Sequence, residues 1–64
     1  MNKLKYDDET GRYNGLHCGD CFKIKVNGKW KNVSIESNNK GWYVIDEDDF
    51  FCYCNSLEGL EIEL

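Results

Sequence analysis

Sixty-four residues, 41% of them apolar and 14% aromatic, make one domain (residues 1–64) with one small core and exclude a disordered chain. A domain this size buries only about 60% of the surface its unfolded chain exposes, so a metal, a disulfide or a partner often supplements the core. A net charge of −4 and a pI near 4.7 argue against general nucleic-acid binding, which needs an excess of Lys and Arg, and suit either solubility alone or a protein partner of basic charge.

The chain begins Met1-Asn2-Lys3-Leu4-Lys5-Tyr6 and runs straight into Asp7-Asp8-Glu9, so no secretory leader is expected. No stretch approaches the ~20 apolar residues of a membrane span. A cytoplasmic protein without membrane contact is expected, with its thiols reduced. Leu4-Lys5-Tyr6 reads as a strand, Asp7 to Gly11 as a turn and Arg12-Tyr13 as a second short strand. Asn14-Gly15 and Gly19-Asp20 bracket Leu16-His17-Cys18 as a loop. Phe22, Ile24 and Val26 alternate with Lys23 and Lys25, the pattern of a half-buried strand. Asn27-Gly28 follows, and both residues tolerate the positive φ of a type I′ hairpin turn. The return strand runs from Lys29 to about Glu36, with Trp30, Val33 and Ile35 inward. The three-residue step from Trp30 to Val33 predicts a bulge or bend at Lys31-Asn32.

Ser37 to Gly41 is a polar turn cluster, and Trp42-Tyr43-Val44-Ile45 a strand of aromatic and β-branched residues. Asp46-Glu47-Asp48-Asp49 is an acidic loop, Phe50 to Cys54 a short strand, and Asn55 to Gly59 a tight or 3-10 turn. Leu60, Ile62 and Leu64 alternate with Glu61 and Glu63 in a last strand. No window carries helical periodicity. Five or six short antiparallel strands at roughly ten-residue spacing predict an all-β fold, a small SH3-like barrel; a zinc-ribbon-like β domain is the alternative. The expected core is Tyr13, Phe22, Ile24, Val26, Trp30, Val33, Ile35, Val44, Leu57, Leu60 and Ile62.

Gly11-Arg12-Tyr13, Leu16-His17-Cys18-Gly19-Asp20, Gly28-Lys29-Trp30, Gly41-Trp42-Tyr43 and Leu57-Glu58-Gly59-Leu60 together resemble a small bacterial domain family of unknown function found on conjugative elements and prophages. The resemblance covers about residues 6–62 and implies a compact β domain with no catalytic assignment. Cys21, Cys52 and Cys54 lie outside the resembling string, and Asp46–Asp49 looks like an insertion. Proteins of this genomic setting are often accessory or counter-defence factors, which makes an inhibitor or modulator of a host factor the function the resemblance implies.

Five sets of residues carry candidate chemistry. Cys18-x-x-Cys21 and Cys52-x-Cys54 are spaced as two zinc half-sites, with His17 as a substitute ligand; the other reading is packing thiols and no cofactor. A Cys18–His17 nucleophile pair is not expected, because neighbours on extended backbone point to opposite faces; the ring of His17 is expected to bond a backbone carbonyl. Asp46, Glu47, Asp48 and Asp49 form either a solvated loop or a charge mimic for a basic groove. The aromatics are too many for the core, so Trp42, Tyr43, Phe51 and Tyr53 are candidate docking rings, since aromatics are enriched at interaction hot spots. These eight residues make the expected surface of a non-catalytic protein-interaction module, a monomer or weak dimer. The alternative is a zinc-stabilised domain touching nucleic acid through Lys23, Lys25, Lys29 and Lys31. No nucleophile–base–orienter set is readable, so no enzyme is expected.

Overall fold

The computed structural model describes residues 2–64. The described residues are all-β apart from one 3-10 turn. Its strands are β1 (Asn2–Lys3), β2 (Tyr6–Asp7), β3 (Arg12–Tyr13), β4 (Cys21–Val26), β5 (Lys29–Asn38), β6 (Gly41–Ile45), β7 (Phe51–Tyr53) and β8 (Glu61–Glu63), with the 3-10 turn at Cys54–Ser56 between β7 and β8. Six strands form one antiparallel sheet in the order β1-β8-β4-β5-β6-β7, and β2 pairs with β3 as a separate hairpin. Among the described residues eight strands thus replace the expected five or six; Leu4 and Lys5 lie outside any strand, between the short pieces β1 and β2. Among the described residues no pairing joins β1 to β7, and none of their helices is long and apolar enough to cross a membrane.

Asn27 and Gly28 take φ of 51° and 78°, both in the left-handed region that a type I′ turn requires. The turn holds β4 and β5 in unbroken register from Val26↔Lys29 to Cys21↔Ser34. No bulge occurs at Lys31-Asn32. Unbroken alternation places Val33 and Ile35 inward and sends Trp30 to the outer face, where it is 42% exposed. Lys31 takes the inward position instead, half-buried at the rim.

The core is Leu4, Tyr13, Phe22, Ile24, Val33, Ile35, Val44, Cys54, Leu57 and Ile62. Eight of the eleven expected core residues are therefore buried; Val26 and Leu60 are half-buried and Trp30 is exposed. Each buried aliphatic or Phe side chain contributes about 1.5–3 kcal/mol relative to exposure. Leu4 joins the core through main-chain bonds on both sides, its N–H donating to Leu60 and its carbonyl accepting from Gly59, each at 2.9 Å. The β2–β3 hairpin docks on β6 through the indole N–H of Trp42, which donates to the Gly11 carbonyl at 2.8 Å. Asn14 ties the hairpin to the N-terminal strand, accepting from the N–H of Lys5 and donating to the carbonyl of Lys3.

Candidate functional site: an aromatic face beside an acidic loop

Alternation along β6 and β7 sorts their side chains between two faces. Trp42, Val44 and Cys52 pack with the core. Tyr43, Phe51 and Tyr53 take the other face, with Tyr43 opposite Tyr53 and Ile45 opposite Phe51. Tyr43 and Phe51 stack at 4.8 Å between centroids. Phe51 meets Tyr53 edge-on at 5.2 Å, and Tyr43 meets Tyr53 edge-on at 6.0 Å. These are the offset and T-shaped geometries that aromatic quadrupoles favour. Phe51 leaves 51% of its surface in water, and Glu36 stands opposite Tyr43 from β5. Trp42, an expected docking ring, is instead a half-buried strut, because its N–H has a carbonyl partner only on the hairpin side.

The loop joining β6 to β7 is built rather than merely solvated. One carboxylate oxygen of Asp46 accepts the N–H groups of Asp48 at 2.8 Å and Phe50 at 3.0 Å. The other lies 3.8 Å from the Lys31 ammonium, with the Asp46 side chain only 8% exposed. Lys31 also sits 5.1 Å from the Phe50 ring centre, a favourable cation–π distance. Asp46 is therefore a scaffold residue, and Glu47, Asp48 and Asp49 are the carboxylates left at the surface. Asp46→Ala should cost about 2–3 kcal/mol, since it strips two N–H groups and one ammonium of a charged acceptor. Asp46→Asn should recover most of that loss; urea melts of both variants check this.

Trp30 was missed as a surface residue. It borders a cleft of about 310 Å³ with Lys31, Asn32, Asp46, Glu47 and Asp48. The signal was available: alternation continued without a break from Val33 back to Lys29 would have turned Trp30 outward.

The four lysines do not form one basic face. Lys23 lies opposite Glu63. Lys25 is 4.0 Å from a Glu61 carboxylate oxygen and 5.9 Å from the Trp30 ring centre. Lys31 is committed to Asp46, on the other side of the sheet from Lys23 and Lys25. Lys29 is exposed at the hairpin. Carboxylates within 4.0 Å thus offset two of the four charges, those of Lys25 and Lys31.

The cysteines do not converge. Cys18 and Cys21 are exposed, Cys52 is half-buried and Cys54 is fully buried. Cys21 precedes inward Phe22 and so faces out, whereas Cys52 and Cys54 pack on the core side. Burial pushes the Cys54 thiol up to about 12, with Cys52 and Glu58 adding to the shift, which disfavours the thiolate a zinc site requires. Among the described residues no three His, Cys, Asp or Glu side chains are grouped to hold a metal ion. The His17 ring is also not the loop brace expected. It is largely exposed, 3.8 Å from Asp20, and the Asp20 carboxylate does the bracing by accepting the His17 N–H at 2.9 Å. Cys18 contacts Ser37 at 3.4 Å between sulfur and hydroxyl oxygen.

No curated protein and no solved structure gives a significant match to this chain. A family match does cover residues 2–64, nearly the whole sequence. The chain belongs to the family described as a domain of unknown function, DUF5348.

Proposed function

We propose that this chain is a non-catalytic protein-interaction module whose contact surface is Tyr43, Phe51 and Tyr53 with Glu47, Asp48 and Asp49 beside them. The observation that carries the reading is the stacked aromatic cluster set on the outer face of the sheet, flanked by a loop whose shape is fixed from below by Asp46. Rigid, exposed aromatic rings supply contact area at low entropic cost. The neighbouring carboxylates select a partner of basic charge and speed its approach. The partner's Lys or Arg side chains stack on the rings and reach Asp48 and Asp49. The same reading takes the curl of the six-stranded sheet as an SH3-like barrel, and the setting as the cytoplasm of a bacterium carrying a mobile element or phage. There the module inhibits or modulates a host defence factor, the role implied by the resembling string.

The test is an NMR titration with an extended, proline-free peptide alternating Arg and Val. Shifts are expected at Tyr43, Phe51, Tyr53 and Glu47–Asp49. Phe51→Ala, and separately Asp48→Lys with Asp49→Lys, should each weaken binding about tenfold, the size of a hot-spot loss. Shifts confined to other faces, or unchanged affinity in both variants, would remove this reading.

A further inference from the structure

Strand β7 is an open edge of the main sheet. The Asp46 N–H donates to the Phe50 carbonyl at 3.2 Å, and opposed residues of an antiparallel pair alternate between exchanging main-chain bonds and exchanging none. The next exchange therefore falls at Val44 and Cys52, and not at the Ile45–Phe51 or Tyr43–Tyr53 pairs. Phe51 and Tyr53 turn their N–H groups away from β6, and Phe51 its carbonyl as well. Among the described residues no further strand pairs with β7, and no loop main chain bonds to these groups.

The two edges of the sheet differ. β1 is two residues long and includes Lys3, and the Asn14 side chain takes the Lys3 carbonyl at 3.0 Å and the Lys5 N–H at 2.9 Å. β7 is Phe51-Cys52-Tyr53, without the Lys, Pro or bulge that usually guards an edge. The pairing surface left free is complementary to itself. Turned about a two-fold axis normal to the sheet, Phe51 meets the Phe51 of a second copy, each N–H facing the other's carbonyl. The ends of the edge match in the same way. Asp48 and Asp49 precede β7, whereas Lys40 borders the same hollow as Tyr53 and Asn55; Asp8 and Glu9 line the next hollow, beyond Tyr6.

We propose that two copies of this chain pair β7 to β7 as an antiparallel dimer centred on Phe51. The two Phe51 residues exchange two main-chain bonds, with Cα atoms about 5.5 Å apart. This register sets Asp49 opposite the Tyr53 of the second copy and carries Glu47 and Asp48 of each copy toward the Lys40 end of the other. The net charge of −4 opposes self-association, but the pairing turns these acids toward Lys40 rather than toward each other. The contact is isologous, and with β1 capped it stops at two copies. An edge of three residues buries less than about 1,200 Å², the class of weak and transient interfaces. The rings of Tyr43 and Phe51 stay on the outer face, so the dimer sets two of the contact surfaces proposed above side by side and does not depend on them.

Sedimentation equilibrium and NMR amide exchange of the full chain test this. A monomer at about 10 μM and a substantial dimer at about 1 mM are expected, as for a weak interface. The Phe51 amide should exchange more slowly at the higher concentration, while that of Cys52 is protected at both. Lys40→Glu, at an exposed turn position outside the proposed contact surface, should weaken the dimer severalfold, and so should Glu47→Lys with Asp48→Lys. An equimolar mixture of these two variants should regain it, because both charge pairs are then attractive. The proposal is overturned if the chain stays monomeric at about 1 mM, which would leave the edge to a strand of another protein. It is equally overturned if a dimer forms with Phe51 exchange unchanged, or if the mixture associates no better than either variant alone.

Discussion

Ile35→Ala is expected to leave the protein largely unfolded without any denaturant. Ile35 is fully buried in β5, between β4 and β6 in the main sheet. Its neighbours are locked on both sides. Its residue pairs with Val44 on β6, while its N–H donates to the Asp20 carbonyl and its carbonyl accepts from Gly19. The surroundings therefore have little freedom to collapse into the space the side chain vacates. Truncating a buried isoleucine to alanine costs about 2–5 kcal/mol, and a core of this size supplies about 3–5 kcal/mol of net stability. The one nearly cancels the other. Leu60→Ala, at a half-buried position on the same core, should cost clearly less. Urea titration with tryptophan fluorescence distinguishes them; a loss below about 1 kcal/mol at Ile35 would contradict the packing described here.

The second large effect is alkaline. The Cys54 thiol has an ordinary value of 9.0 that burial raises to about 12 in the folded protein. The unfolded chain therefore gives up this proton at a lower pH than the folded one. The stabilisation is fully present below pH 9 and is lost as the pH climbs toward 12. Within that window stability should fall by about 1.4 kcal/mol per pH unit from this group alone. Tyr13 is raised from 10.0 in the same direction, by burial first and by Glu58 second, so it steepens the loss above pH 10. Urea midpoints between pH 8 and 10 measure the Cys54 share, and Cys54→Ala should flatten that slope while lowering the plateau. An identical slope in the variant would assign the alkaline loss to other groups.

What could be read from residues alone follows from how local the cause is. The β4–β5 hairpin was legible because Phe22, Ile24 and Val26 alternate and Asn27-Gly28 closes them, all within ten residues of chain. Plain alternation turns Trp30 outward, but it also turns Lys31 inward, and what makes that acceptable is non-local. An inward lysine is tolerable because Asp46 and Phe50, fifteen and nineteen residues onward, meet it at the rim. Leu4 reads in sequence as one apolar residue among lysines, yet its burial depends on main-chain bonds to Gly59 and Leu60 at the far end of the sequence. At the candidate site, Tyr43, Phe51 and Tyr53 followed from having aromatics at consecutive positions on short strands, which cannot all point inward. Asp46 was hidden because a run of four acids looks uniform; only the turn geometry separates the one that holds the loop from the three that face outward. Trp42 has the same composition signal as a docking ring, and only the carbonyl of Gly11, brought over by the hairpin, makes it a strut.

The pairing of β1 with β8 sets Asn2 directly opposite Ile62. Opposed residues of an antiparallel pair have Cα atoms about 5 Å apart. Anything joined to both ends therefore departs from a single corner of the sheet, and the fold occupies little more span on a carrier than one loop residue would. That geometry lets the domain be spliced into a surface loop of another protein without prising that loop apart. It equally lets the two ends be linked by a few glycines and the chain reopened at the Asn38-Asn39-Lys40 turn, giving a circular permutant with every strand neighbour preserved.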